Sequence, residues 1–119
     1  MKKITSTIFL FGILASANML SAQKLTQEKM KAIYSNDVAT FKKQFAPGDY
    51  NKCFTLGNEL YTPLGFSALS GKNTIITYLL DNKVDINKKC QNITPLELAE
   101  EGKTPKTIQL LIERGAKRD

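Results

Sequence analysis

Residues 61–71 read Tyr61-Thr62-Pro63-Leu64-Gly65-Phe66-Ser67-Ala68-Leu69-Ser70-Gly71, and their order decides the fold. Thr62 suits an N-cap, where its hydroxyl oxygen accepts a bond from an otherwise unpaired backbone N–H. Pro63 then takes the first helical position, where its missing N–H costs nothing and its fixed φ suits the turn. Leu64, Ala68 and Leu69 follow at helical spacing, and Gly71 can adopt the left-handed conformation that ends the helix. After a short corner, Ile75, Ile76, Leu79 and Leu80 mark a second helix, with apolar pairs one turn apart. Asn82-Lys83-Val84-Asp85-Ile86-Asn87 is a turn-rich exit.

This unit recurs. Thr94-Pro95-Leu96-Glu97-Leu98-Ala99 restates the opening 32 residues after Thr62. Ile108, Leu111 and Ile112 restate the second helix, and Arg114-Gly115-Ala116 the exit. One Thr-Pro-Leu is a weak signal. Two in register, each followed by an Ala and a paired-aliphatic helix, are specific. A period of about 33 with Thr-Pro-Leu opening a helix pair is the pattern of ankyrin repeats, which residues 62–87 and 94–116 resemble. The resemblance implies an all-α repeat fold: an ankyrin-type solenoid of about three helix-pair repeats with short β-hairpin fingers, the repeats lying near 25–51, 58–87 and 92–119.

Upstream, the 119-residue chain opens on Met1-Lys2-Lys3, then the run Ile8-Phe9-Leu10-Phe11-Gly12-Ile13-Leu14-Ala15, then small residues up to Ala22. A basic start, a short apolar middle and a small-residue end describe a secretory signal peptide over residues 1–22, cut after Ala22. The apolar run falls short of the roughly 18–20 residues that span a bilayer, which weighs against a membrane anchor. No Cys follows that run, so a lipid-anchored Cys is not expected. The leader is bacterial in style and implies the periplasm, or secretion beyond it. Removing it takes Lys2 and Lys3 away, so 17 Lys+Arg become 15 against 11 Asp+Glu and the net charge falls from +6 to +4. Residues 23–119 are then a mildly basic domain whose globular core would be thin, and stacked repeats answer that shortage.

Residues 25–51 read as a degenerate first repeat serving as the N-terminal cap. Thr26 can cap a helix, and Leu25 with Met30 has the spacing of a hydrophobic staple. Ala32, Ile33, Val38, Phe41 and Phe45 form two apolar stripes around a corner at Ser35-Asn36-Asp37, and Pro47-Gly48-Asp49-Tyr50-Asn51 parallels the exit at 83–87. Thr-Pro-Leu is missing here. A terminal unit has one face against solvent, so departures are expected.

Between Asn51 and Thr62 lies Lys52-Cys53-Phe54-Thr55-Leu56-Gly57-Asn58-Glu59-Leu60-Tyr61, and the matching segment after Asn87 is Lys88-Lys89-Cys90-Gln91-Asn92-Ile93. The resemblance makes these the fingers, with Gly57-Asn58 a suitable turn. The first is several residues longer, an insertion of the kind repeat proteins place on a binding face. Cys53 and Cys90, the only cysteines, fall at near-equivalent finger positions. In an exported chain such a pair reads as a disulfide, and closing its loop of 37 residues is worth roughly 3–4 kcal/mol in the chain-entropy account. Two free thiols are the alternative, because bridged Cα atoms must lie within about 7 Å.

In the third repeat Thr94 and Glu97 have capping-box spacing, Glu97 reaching back to the Thr94 N–H. The resembled family usually carries His where Gly65 and Glu97 stand. Gly65 inside a helix should cost about 1 kcal/mol relative to Ala, unless it makes room for Phe66 or Tyr61. Pro105 again falls near a first turn, and Arg114, Lys117 and Arg118 suit a helix C-terminus.

Chemistry is scarce. The chain has no His, which removes the commonest general base. No phosphate loop, nucleophile elbow or metal spacing appears, and two Cys without His offer too few soft ligands for a metal. Glu97, Glu100 and Glu101 are explained by capping and a solvated helix face. Lys42-Lys43, Lys88-Lys89 and Lys117-Arg118 are scattered, which argues against nucleic acid. No enzyme, cofactor or metal is expected, and a monomer is.

That leaves binding to another protein. The resemblance implies a concave surface of finger tips and first-helix inner faces: Leu69 and Ser70 in repeat two, Glu101 in repeat three, and Tyr34 as the looser equivalent in repeat one. The fingers add Phe54, Leu56, Leu60, Tyr61, Lys89, Gln91 and Asn92. Apolar and aromatic members of the long finger are candidate hot spots, or else Phe54, Leu56 and Leu60 fold back over the core edge. The expectation is a non-catalytic periplasmic module that binds, protects or inhibits a partner protein, including service as an immunity protein for a toxin. A secreted effector that binds host proteins is the alternative.

Overall fold

Three helix pairs follow one another in the computed structural model, which describes residues 22–118. The pairs are α1 (Gln27–Tyr34) with α2 (Val38–Gln44), α3 (Pro63–Ser70) with α4 (Asn73–Asp81), and α5 (Pro95–Glu101) with α6 (Pro105–Glu113). The first helices of the pairs pack side by side, α1 on α3 and α3 on α5, and the second helices form a parallel row behind them. The all-α helix-pair solenoid expected from the sequence is therefore the architecture. The leader expected over residues 1–22 lies outside the described residues, Ala22 excepted.

Local chemistry sets the helix ends. Thr26, Thr62 and Thr94 each cap a first helix, accepting from Lys29, Gly65 and Glu97 N–H at 3.1, 2.8 and 3.1 Å. Each cap is worth about 1 kcal/mol. Glu97 completes the capping box, accepting the Thr94 N–H at 2.9 Å. Gly71 ends α3 with φ 71°, the left-handed residue foreseen there. Pro63, Pro95 and Pro105 occupy first turns.

The core runs through all three pairs, with Ile33, Phe41, Leu64, Ile75, Ile76, Leu79, Leu96 and Leu111 essentially inaccessible. Leu25 is buried and Met30 packs on the same core, as the staple requires. Ile112, aligned with Leu80, is instead 49 % exposed, because no further pair covers it among the described residues. Polar side chains stitch one pair to the next. Asn51 and Asn87 oxygens accept the N–H of Asp85 and Lys117, and Asn36 accepts from Thr74. Thr104 leaves α6 uncapped and donates to the carbonyls of Ala68 and Ala99.

Two glycines mark close approaches. A Cβ on Gly65 would meet Leu98 Cδ1 at 3.0 Å and the Thr62 hydroxyl at 3.1 Å, so the room it leaves lets repeat three and the helix's own cap approach closely. A Cβ on Gly102 would lie 2.1 Å from the Leu69 carbonyl oxygen, which ties the end of α5 to the backbone of α3.

Candidate partner-binding face

The long finger is a hairpin of β1 (Phe54–Leu56) and β2 (Glu59–Tyr61), with Phe54 opposite Tyr61 and Leu56 opposite Glu59. Gly57 holds φ 61° at the first position of its two-residue loop, where glycine is favoured. Residues 23–25 lie parallel to β1: Leu25 N–H donates to the Thr55 carbonyl at 2.6 Å, and Thr55 N–H to that of Gln23 at 2.8 Å. The short finger is a single antiparallel bridge, Cys90 to Ile93, closed by Gln91 and Asn92 at φ 58° and 64°. Both central residues left-handed is the pattern of a type I′ turn. Cys53 and Cys90 are bonded, their Cα atoms 6.1 Å apart. The pair expected from the repeat register is at bonding distance, inside the Cα limit on which the free-thiol alternative turned.

Phe54 does not belong to any docking surface. It is fully buried, its ring edge-on to Phe45 at 5.4 Å. It points into the core cluster that Leu25, Ile33, Phe41 and Phe45 of repeat one also form. Leu56 is half-buried and packs on the core as well. Leu60 is half-buried, and its N–H is taken by the Gln91 side-chain oxygen at 3.0 Å, while the Gln91 amide donates to the Asn58 carbonyl at 3.0 Å. Gln91 thus seals the outer edge of β2, where an unpaired strand edge would otherwise recruit another strand. The core-cover reading accounts for Phe54 and Leu56; Gln91 is committed to the neighbouring finger.

What remains forms one face. Tyr34, at the end of α1, is 51 % exposed, and its ring centroid lies 5.7 Å from that of Phe66. Tyr61 approaches Phe66 from the finger side at 5.4 Å, edge-on. Phe66 is the buried floor of this aromatic row, a part sequence reasoning missed although it stands inside the Thr-Pro-Leu helix. Lys72, at the α3–α4 corner, holds its ammonium 5.9 Å from the Tyr34 centroid. At the other end the Tyr61 phenol is pushed above its ordinary value, first by burial and then by the charges of Glu59 and Glu101. Those two carboxylates, one on a finger and one at the end of α5, are therefore brought to the same aromatic. Leu69 and Ser70 are half-buried, and Lys89 and Asn92 are exposed on the short finger.

The arrangement offers an aromatic row with a cation at one end and carboxylates at the other, suited to an apolar side chain flanked by charges. Among the described residues no group of three or more His, Cys, Asp or Glu is placed to hold a metal, and no helix is long and apolar enough to cross a membrane. A family model described as ankyrin repeats, in three copies, matches residues 29–119. No curated protein matches the chain.

Proposed function

Because the chain belongs to the ankyrin-repeat family, whose repeats are generally protein–protein interaction modules, we propose that it is an exported, non-catalytic binding module. It works in the bacterial periplasm as a monomer and grips a partner protein with the face between Tyr34 and Glu101. The partner is an exported protein that it protects or inhibits, a toxin and its immunity protein being one such pairing. The observation that carries this reading is the exposed Tyr34 ring standing over Phe66 and continued by Tyr61. A half-exposed aromatic on a rigid helix end is the kind of group that dominates interface energies.

The test is capture from periplasmic extract by tagged residues 23–119, wild type against Tyr34→Ala/Tyr61→Ala. Loss of two aromatic anchors should weaken capture about tenfold or more. Unchanged capture by a folded double variant refutes the face. Fractionation is the companion measurement: recovery from the medium instead of the periplasm favours the secreted-effector alternative.

A further inference from the structure

Ala22 and Gln23 sit at the rim of an open recess of about 480 Å³ that they line with Asn51, Lys52, Cys53 and Lys88. Gln23 is held in the fold through its carbonyl, which accepts the Thr55 N–H, and its side chain is exposed. Resting on the export reading, in which the leader is cut after Ala22, we propose that Gln23 is a modification site: its new α-amine closes on its own side chain to give pyroglutamate.

The chemistry needs no co-reactant. The α-nitrogen attacks the side-chain amide carbon, a five-membered lactam forms, the old carbon–nitrogen bond breaks, and ammonia leaves with the displaced proton. The surroundings favour it in two ways. The recess that Gln23 lines with Lys52 and Lys88 is open and the Gln23 side chain is exposed, so the new terminus and the side-chain amide have room to fold onto each other. The bonds that hold residues 23–25 use the Gln23 carbonyl and the Leu25 N–H, neither of which the lactam consumes. The consequence is protective. An aminopeptidase that removed Gln23 would strip the acceptor of the Thr55 N–H and unpair the edge of the long finger, and a lactam terminus offers it no free amine.

The experiment is intact mass and amine labelling of the full chain expressed with its leader and recovered after export. The expected product starts at Gln23, is lighter by one ammonia and does not label at its α-position; Gln23→Ser, cut at the same bond, labels and is trimmed by aminopeptidase. A mature chain starting at Gln23 with a labelled, free α-amine overturns the proposal alone. A chain with the leader attached overturns the export reading and the proposal with it; one cut at another bond leaves export standing and overturns the proposal, because Gln23 is then not the terminus.

Discussion

In the long finger two strands pair, residues 23–25 lie against them, and Phe54 is sunk into the core; in the short finger Gln91 and Asn92 make a turn clasped by one bridge. Extra length in a repeat-protein finger suggests reach toward a partner. Here it does structural duty: residues 54–56 provide the strand onto which the N-terminal segment folds and the side chain that covers Phe45. The short finger, with less backbone pairing, spends a side chain on its neighbour through Gln91. The proposed binding face then falls to the helix end at Tyr34 and the base of the long finger at Tyr61.

The sharpest way to break this contrast is Phe54→Ala. If the long finger is a core cover, truncating a fully buried Phe should cost about 3–5 kcal/mol in urea unfolding. A binding loop that stands clear of the core would lose almost nothing. Only the second outcome would return Phe54 to the list of hot spots.

Next in size is the bridge between the fingers. Reducing Cys53–Cys90, or replacing both with Ser, reopens a loop of 37 residues and should cost roughly 3–4 kcal/mol. Unfolding with and without reductant measures it. A loss well under 1 kcal/mol would mean that backbone pairing and Gln91 already hold the fingers together.

These two residues also mark how far a sequence reading reaches. The threonine caps, Pro63, Pro95 and the left-handed Gly71 were legible because each depends on neighbours a few positions away. The cysteine pairing was legible through the repeat register. Other features depend on contacts the chain makes far from itself. Three residues at 23–25 carry no strand period, so their pairing with Thr55 left no trace in the pattern. Gly102 looks like an ordinary helix end, yet it is fixed by the Leu69 carbonyl thirty-odd positions earlier. Glu59 and Lys72 joined the site only once the finger and the α3–α4 corner had been placed. For the asparagines a signal existed: Asn51 and Asn87 end equivalent exits, and both accept a backbone N–H from the following repeat.

The smallest effects separate backbone from side chain in the short finger. Gln91 holds φ 58°, a conformation that costs a non-glycine residue roughly 1–2 kcal/mol, while its amide makes two bonds to the long finger. Gln91→Ala keeps the strained backbone and discards the bonds, so it should lower stability by about 1 kcal/mol. Gln91→Gly discards the same bonds and releases the strain, so it should fall within a few tenths of a kcal/mol of wild type. Matched urea titrations of the two variants read the difference directly. If Gly and Ala are equally destabilising, the turn carries no strain and the loss measures the Gln91 amide bonds by themselves. If both are neutral, the Gln91 bonds contribute nothing, and the short finger is held by its disulfide and by Ile93 leading into the Thr94 cap.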